Sequence, residues 1–188
     1  NKYLNRKKKL RVIFRGINVD YYNKKNISIL KQENLKKNWE LFPNRFVILM
    51  PGRLTNWKGQ EKFIEALNIL VEDYGNSKFQ AIILGSDQGR TVYKKRLINL
   101  IQRYRLNKKI KFIDHCKEMP LAYSIIDVVV SASIEPEAFG RVSVEAQAME
   151  KPIIASDLGG SKETILNKKS GFLYKHADPR ELENALNT

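Results

Sequence analysis

Two glutamates lie on either side of a Phe-Gly pair in the stretch IEPEAFGRVSVEAQAMEKPIIASDLGGSKETI, residues 134–165. Seven residues separate Glu137 from Glu145, and Gly140 lies between them at the predicted start of a helix. The first N–H groups of a helix have no partner within it, so those near 139–142 can bind a phosphate, favoured by the helix dipole. Carboxylates repel a phosphate, but each can accept two hydroxyl hydrogen bonds from a sugar. The spacing therefore favours a nucleotide sugar, with Glu145 on the ribose and Glu137 on the transferred sugar.

Two basic residues follow the first apolar run of this region. Arg53 and Lys58 lie in PGRLTNWKG, directly after FVILM. Arginine offers a planar fork of donors and lysine a point charge, so together they can hold a diphosphate. Each residue also has a plainer explanation. Taken alone, Glu145 is better explained as a buried helix carboxylate with local N–H partners, and the two cations as an ordinary basic loop. Only their joint placement after strands favours a phosphate site.

Short apolar runs alternate with helical patterns along the chain. Apolar runs at 46–50, 79–85, 110–113, 127–131, 152–156 and 171–174 predict strands, and amphipathic patterns at 59–74, 91–106, 119–126, 140–149, 161–166 and 179–186 predict helices. Continuously apolar strands are typical of parallel sheets covered on both faces, and the alternation predicts right-handed βαβ crossovers. We therefore predict an α/β fold with an open parallel sheet of about six strands and helices on both faces. Ligands of such sheets bind at the carboxyl ends of the strands.

The composition limits the class of protein. The 188 residues carry a formal net charge of +14, which agrees equally with an anionic partner and with A/T-rich coding DNA. A single cysteine, Cys116, excludes an intrachain disulfide and fits a reducing, cytoplasmic compartment. No apolar run approaches the ~20 residues that span a bilayer.

His115 and His176 are isolated and no Asp-x-Asp pair occurs, so we expect no metal and no other cofactor. We interpret Trp39 and Trp57 as core or interface residues.

The first 45 residues differ from the rest. They hold one strand-like run, in LRVIF at 10–14, and a lysine-rich helical pattern at 27–42 that ends before Pro43. We interpret 1–45 as an interdomain lead-in segment with a linker helix, and 46–188 as the nucleotide-sugar-binding domain. The chain does not begin with Met.

Four motifs, in this order, resemble the C-terminal, donor-binding domain of the group 1 (family 4) glycosyltransferases: PGRLTNWKG, AIILG, EPEAFGRVSVEAQAMEKPIIASDLGGSKETI and SGFLY…DPRELENAL. The resemblance covers roughly residues 10–188, and the two glutamates with Phe-Gly between them are its specific element. It implies a Rossmann-like domain that forms one lobe of a two-lobed, retaining GT-B enzyme. The chain departs from the family at Glu150, where a glycine usually forms a left-handed helix C-cap. It also lacks the family's glycine after the third strand, in FIDHC.

The resemblance assigns roles to individual residues. It implies that Arg53 and Lys58 bind the donor diphosphate, that Glu137 holds the donor sugar, and that Glu145 holds the ribose. Arg53, Lys58 and Glu137 are the expected catalytic residues. The expected donor site as a whole consists of Gly52, Arg53, Lys58, Ile113, Asp114, Glu137, Ala138, Phe139, Gly140, Arg141 and Glu145. Within it, Ile113 and Asp114 are expected near the base.

The expected function is transfer of a sugar from a nucleoside diphosphate sugar to an acceptor hydroxyl, in cell-envelope glycan or lipopolysaccharide synthesis. The expected partners are the donor, an N-terminal acceptor-binding lobe that this sequence lacks, and the inner face of a membrane through peripheral contact. Two alternatives remain at this stage. One is a basic, non-catalytic module that binds nucleotides or nucleic acid, although the two glutamates would repel a phosphate backbone. The other is an inactive fragment of a split glycosyltransferase gene.

Overall fold

The computed structural model describes residues 11, 13, 15–75 and 78–187. Within them, six strands form one sheet in the order β3-β2-β1-β4-β5-β6. All neighbouring strands pair in parallel. The strands are β1 Phe46–Pro51, β2 Phe79–Leu84, β3 Ile110–Ile113, β4 Val128–Ser131, β5 Ile153–Ser156 and β6 Phe172–Tyr174. Each predicted strand is therefore confirmed to within one residue at each end.

The helices of the described residues follow the predicted alternation. They are α1 Ile29–Asn38, α2 Gln60–Tyr74, α3 Thr91–Arg103, α4 Met119–Ser124, α5 Arg141–Ala148, α6 Ser161–Thr164 and α7 Pro179–Asn187, with short 3₁₀ turns at Lys24–Asn26 and Asn56–Lys58. Helix α3 ends three residues before the predicted boundary. There Arg105 takes a left-handed φ of 55°, which turns the chain toward β3.

Alternate residues of the strands enter two separate cores, as the pleat requires. Ile48 and Met50 of β1 pack with Phe63 of α2 in one core, which α2, α3 and α7 cover. Val47 and Leu49 of the same strand enter the other core, which α1, α4 and α5 cover. The predicted α/β class, with helices on both faces of a parallel sheet, is confirmed.

The lead-in segment packs on the second core. Tyr22 and Trp39 are both buried in it, so the expectation of a core role for Trp39 is confirmed. The strand-like run at 10–14 includes residues 10, 12 and 14, which lie outside the described residues. The predicted domain boundary at residue 45 remains a prediction.

The residue after α5 adopts the conformation that the family's glycine would supply. Glu150 has a left-handed φ of 54°. Its N–H bonds the Gln147 carbonyl at 3.0 Å, and the Lys151 N–H bonds the Ala146 carbonyl at 2.9 Å, which together form a Schellman motif. The Glu150 carboxylate also pairs with the ammonium of Lys24 from the lead-in segment.

Candidate functional site

The carboxyl ends of β1 and β4 meet where the strand order changes direction. These two strands are neighbours in the sheet, although β2 and β3 come between them in the chain. Such a switch point opens a crevice at the strand ends. Two adjoining cavities of about 900 and 500 Å³ lie there, and both are lined by Tyr22, Gly52, Arg53, Arg141 and Val142. The two cavities therefore form one trough beside the N-terminus of α5.

The loop after β1 carries both predicted cations and is fixed at its two ends. At the start, the N–H of Gly52 donates to the carbonyl of Leu84 at 2.8 Å. At the other end, Gly59 has a left-handed φ of 75°, and a Cβ there would lie 1.9 Å from the carbonyl oxygen of Ala132. Only glycine permits so close an approach of the two backbones. The loop is thereby held against the segment that follows β4.

Arg53 is exposed and lines both cavities. Its carbonyl accepts a hydrogen bond from the side-chain amide of Gln60 at 2.9 Å. Gln60 is buried, and its side-chain oxygen accepts from the Tyr93 hydroxyl at 3.1 Å. Helices α2 and α3 therefore hold the backbone of Arg53 through buried polar contacts.

Lys58 and Glu137 form an ion pair inside the larger cavity. The Lys58 ammonium lies 2.6 Å from Glu137 Oε1, and the side chains are only 13% and 11% exposed. The hydroxyl of buried Ser133 donates to the same oxygen. Lys58 also lies 4.4 Å from the ring centre of Trp57, which lines the cavity. With Oε1 held by two donors, Oε2 of Glu137 can accept a hydrogen bond from a ligand hydroxyl.

Glu145 is buried at the wall of the smaller cavity. Its Oε2 accepts from the Tyr123 hydroxyl at 2.9 Å, and its Oε1 lies 3.2 Å from Nε of Arg141. Burial raises the pKa of the Tyr123 hydroxyl, and the negative charge of Glu145 raises it further. Burial also raises the pKa of Tyr22, and a hydrogen bond to Glu145 raises it further. Both tyrosines therefore stay protonated at neutral pH as hydrogen-bond donors. Both oxygens of this buried carboxylate therefore have side-chain partners within the protein, and one partner, Arg141, lies four residues away on the same helix.

The start of α5 lies between the two glutamates, as predicted. Gly140 precedes the helix with a left-handed φ of 72°. Ala138 and Phe139 line the larger cavity. The Gly160 N–H donates to the Glu137 carbonyl at 2.7 Å, and a Cβ on Gly160 would lie 2.5 Å from the carbonyl carbon of Phe139. The small-residue turn at 157–160 therefore supports the loop that presents the helix N-terminus.

The two residues expected near the base occupy different positions. Asp114 lines the smaller cavity and pairs with Lys94 at 2.8 Å, with its own side chain 70% exposed. Ile113 is not among the residues that line either cavity, and its carbonyl accepts from the N–H of Gly85 within the sheet at 2.8 Å. The role of both residues at the base remains a prediction.

The structure adds residues that sequence reasoning missed. Tyr22, Tyr123, Ser133 and Gln60 contact the predicted site residues or their backbone, and Trp57 lines the larger cavity where a core or interface role was expected. A serine two residues after a predicted strand, as in SAS at 131–133, was a signal for Ser133. Tyr22 and Tyr123 gave no such signal, because their contacts join segments distant in sequence.

Neither a metal-binding cluster nor a membrane-spanning helix occurs in the part of the chain that the structure describes. Among residues 11, 13, 15–75 and 78–187, no three or more His, Cys, Asp or Glu side chains are grouped so that they could hold a metal ion. Nor does any helix of these ranges have the length and apolar character needed to cross a bilayer.

Similarity to known proteins agrees with the fold. The family model for glycosyl transferases group 1 matches residues 31–188. The solved glycosyltransferase of Rickettsia africae is 34% identical, superposes with a TM-score of 0.90, and aligns over 96% of this chain and 46% of its own. HepE of Anabaena, solved with UDP-glucose, is 31% identical with a TM-score of 0.85, over 94% of this chain and 46% of its own.

A sequence relative extends the comparison. The capsular polysaccharide biosynthesis glycosyltransferase CapM of Staphylococcus aureus is 29% identical over 144 residues, which are 76% of this chain and 36% of CapM. The chain thus spans about a third of the length of curated relatives such as CapM and just under half of the two solved structures. With a family model matching most of its length, this chain belongs to the group 1 glycosyl transferases.

Proposed function

We propose that this chain is the donor-binding lobe of a retaining glycosyltransferase that takes a nucleoside diphosphate sugar. One observation carries the proposal: a continuous trough at the switch point has the Lys58–Glu137 pair on one side, Glu145 on the other, and the N-terminus of α5 between them. The trough has carboxylates that can accept hydroxyl hydrogen bonds at both ends and N–H groups that can bind phosphate in the middle. This order matches the ribose, diphosphate and sugar of a nucleoside diphosphate sugar.

The trough supplies what departure of the leaving group requires. The bond from the anomeric carbon to the diphosphate oxygen breaks and negative charge grows on the diphosphate. The acceptor hydroxyl oxygen forms a bond to that carbon, and its proton passes to the departing diphosphate. Arg53 and the N–H groups at the start of α5 would stabilise that negative charge. Lys58 would also stabilise it while remaining paired with Glu137. By analogy with an oxyanion site, each contact lowers the activation free energy by about 3 kcal/mol.

Glu137 acts in this scheme as a sugar-hydroxyl acceptor. Its Oε1 is bound by the Lys58 ammonium and by the Ser133 hydroxyl, which lowers its tendency to attack carbon and fixes the carboxylate in one orientation. Retention of configuration is proposed from the resemblance to family 4.

The acceptor belongs to a second lobe in this proposal, because the relatives are two to three times longer than the matched segment. The relative CapM supports a role in cell-envelope glycan synthesis, and HepE makes UDP-glucose the first donor to test. A cytoplasmic location, with peripheral contact at the membrane where a lipid-linked acceptor would lie, completes the proposal. No metal is proposed, because the cations and the helix N-terminus supply the positive charge.

Calorimetric titration of the chain with UDP, GDP, ADP and UDP-glucose tests the proposal. At least one nucleotide should bind, and Arg53→Ala should weaken it by about tenfold or more, the loss of one charge-assisted contact. Arg103→Ala, which removes an exposed arginine of α3 outside both cavities, is the matched control. If no nucleotide binds, or if both variants weaken binding equally, the proposed site is wrong. Tight oligonucleotide binding without nucleotide-sugar binding would instead favour a nucleic-acid module.

A further inference from the structure

A second concave site lies at the amino-terminal ends of β1, β2 and β3. It is a groove of about 490 Å³, called here the basic groove, lined by Phe42, Arg45, Phe79, Arg105, Asn107, Lys108 and Lys109. Four of these seven side chains are cationic, and none is a carboxylate. The trough lies at the other end of the same strands, and β1 has six residues. At about 3.3 Å per residue, the two sites are roughly 20 Å apart.

The backbone holds the walls of the basic groove in place. After α3, Arg105 has a left-handed φ of 55°, and the N–H groups of Leu106 and Lys109 both bond nearby carbonyls at 2.9 Å. On the opposite wall, the N–H of Phe42 donates to the side-chain oxygen of Gln80, which is buried, at 3.0 Å. The cations are therefore presented by tight, hydrogen-bonded turns.

Two cations of this groove, Arg45 and Lys109, repel each other. The Lys109 ammonium lies 5.2 Å from the ring centre of Phe79, partly withdrawn from water. Burial lowers the pKa of Lys109, and the positive charge of Arg45 lowers it further. An anion placed between the two walls would relieve this repulsion and raise that pKa again.

We propose that the basic groove is a binding site for phosphate groups, separate from the donor trough. Two arginines give forked donors that match phosphate oxygens, and two lysines add point charges. Asn107 offers an amide for a neighbouring polar group. The Phe42 side chain, 54% exposed beside the cations, offers apolar contact to the rest of the ligand. The phosphate can come from a soluble phosphate ester or from the headgroup of an anionic lipid.

The test uses the whole chain with its donor site saturated by UDP. In one arm, inorganic pyrophosphate is titrated while amide resonances are followed by NMR. In the other arm, the chain is sedimented with phosphatidylcholine vesicles, with and without phosphatidylglycerol. Pyrophosphate should shift the N–H resonances of Asn107, Lys108 and Lys109 and leave that of Gly52 in place. Binding of pyrophosphate alone identifies a soluble ligand, and sedimentation that needs phosphatidylglycerol identifies a lipid headgroup.

Charge-matched variants separate a site from general attraction by a basic protein. Arg45→Ala with Lys108→Ala should weaken binding by about tenfold or more. The control, Lys95→Ala with Lys169→Ala, removes two exposed lysines outside the basic groove. It should change the binding affinity by less than about threefold. If the first double variant unfolds, Lys108→Glu at an exposed position replaces it. Equal losses in groove and control variants, resonance shifts spread over the whole basic surface, or no binding in either arm would each overturn the proposal.

Discussion

Replacing Glu145 by glutamine should weaken binding of UDP by roughly 30-fold. The substitution keeps the volume of the side chain and one acceptor oxygen, but it removes the charge that faces the proposed ribose. A hydrogen bond to a charged acceptor contributes about 1.5–3 kcal/mol, against about 1 kcal/mol for a neutral one. Two ribose hydroxyls therefore lose about 2 kcal/mol together. The Tyr123 hydroxyl, now 2.9 Å from the carboxylate, keeps an oxygen to bond, so the fold should remain stable.

The assay is calorimetric titration of both proteins with UDP and with 3′-deoxy-UDP, a double-mutant cycle between the protein and the ligand. In the parent, removing the hydroxyl should cost affinity, and in Glu145→Gln the same removal should cost clearly less. Glu163→Gln, on exposed α6, is the control for a lost glutamate charge. If the deoxy ligand loses the same affinity in the parent and in Glu145→Gln, the carboxylate does not contact that hydroxyl and the reasoning is refuted.

Three further predictions concern the other parts of the donor site. Glu137→Gln, which keeps an oxygen for Lys58 and Ser133 to bond, should leave UDP affinity within about twofold and weaken UDP-glucose by about fivefold, because the sugar loses a charged acceptor; equal losses in the two titrations would contradict this division. Treatment with EDTA should leave UDP binding unchanged by calorimetry, because protein cations and α5 neutralise the diphosphate; restoration by Mg²⁺ of binding lost on chelation would show a metal requirement. Residues 1–188 alone should transfer no sugar in a radiolabel assay, since positioning of the acceptor by a second lobe can supply ~7–11 kcal/mol of the barrier; turnover by the chain alone would contradict the one-lobe proposal.

The order of apolar runs was sufficient to predict the sheet. Continuous runs such as FVILM and DVVVS are typical of strands buried on both faces of a parallel sheet between helices, and both form strands of that kind. Short strands and strong turn residues then limited the errors at the ends to about one residue. The end of α3 was missed because YRL continues the apolar pattern, while the left-handed Arg105 breaks the helix.

The sequence predicted that the candidate site residues would meet at one edge of the sheet, but it did not predict the contacts between them. Glycine, glutamate and basic residues directly after strands are local signals, and the topology brings them together at one edge of the sheet. The pairing of Lys58 with Glu137 is not such a signal, because 79 positions separate the two residues in the chain. The same holds for Tyr22, which reaches Glu145 from the lead-in segment. Contacts of this kind depend on side-chain packing between distant segments, which no periodicity in the sequence reveals.

A crystal structure of the chain with UDP-glucose tests the central claim most directly. The account predicts ribose hydroxyls within about 3 Å of the Glu145 carboxylate, the diphosphate against Arg53 and the N-terminus of α5, and a glucose hydroxyl on Oε2 of Glu137. Density for the nucleotide outside the trough, or a ribose turned away from Glu145 with the sugar in its place, would contradict it.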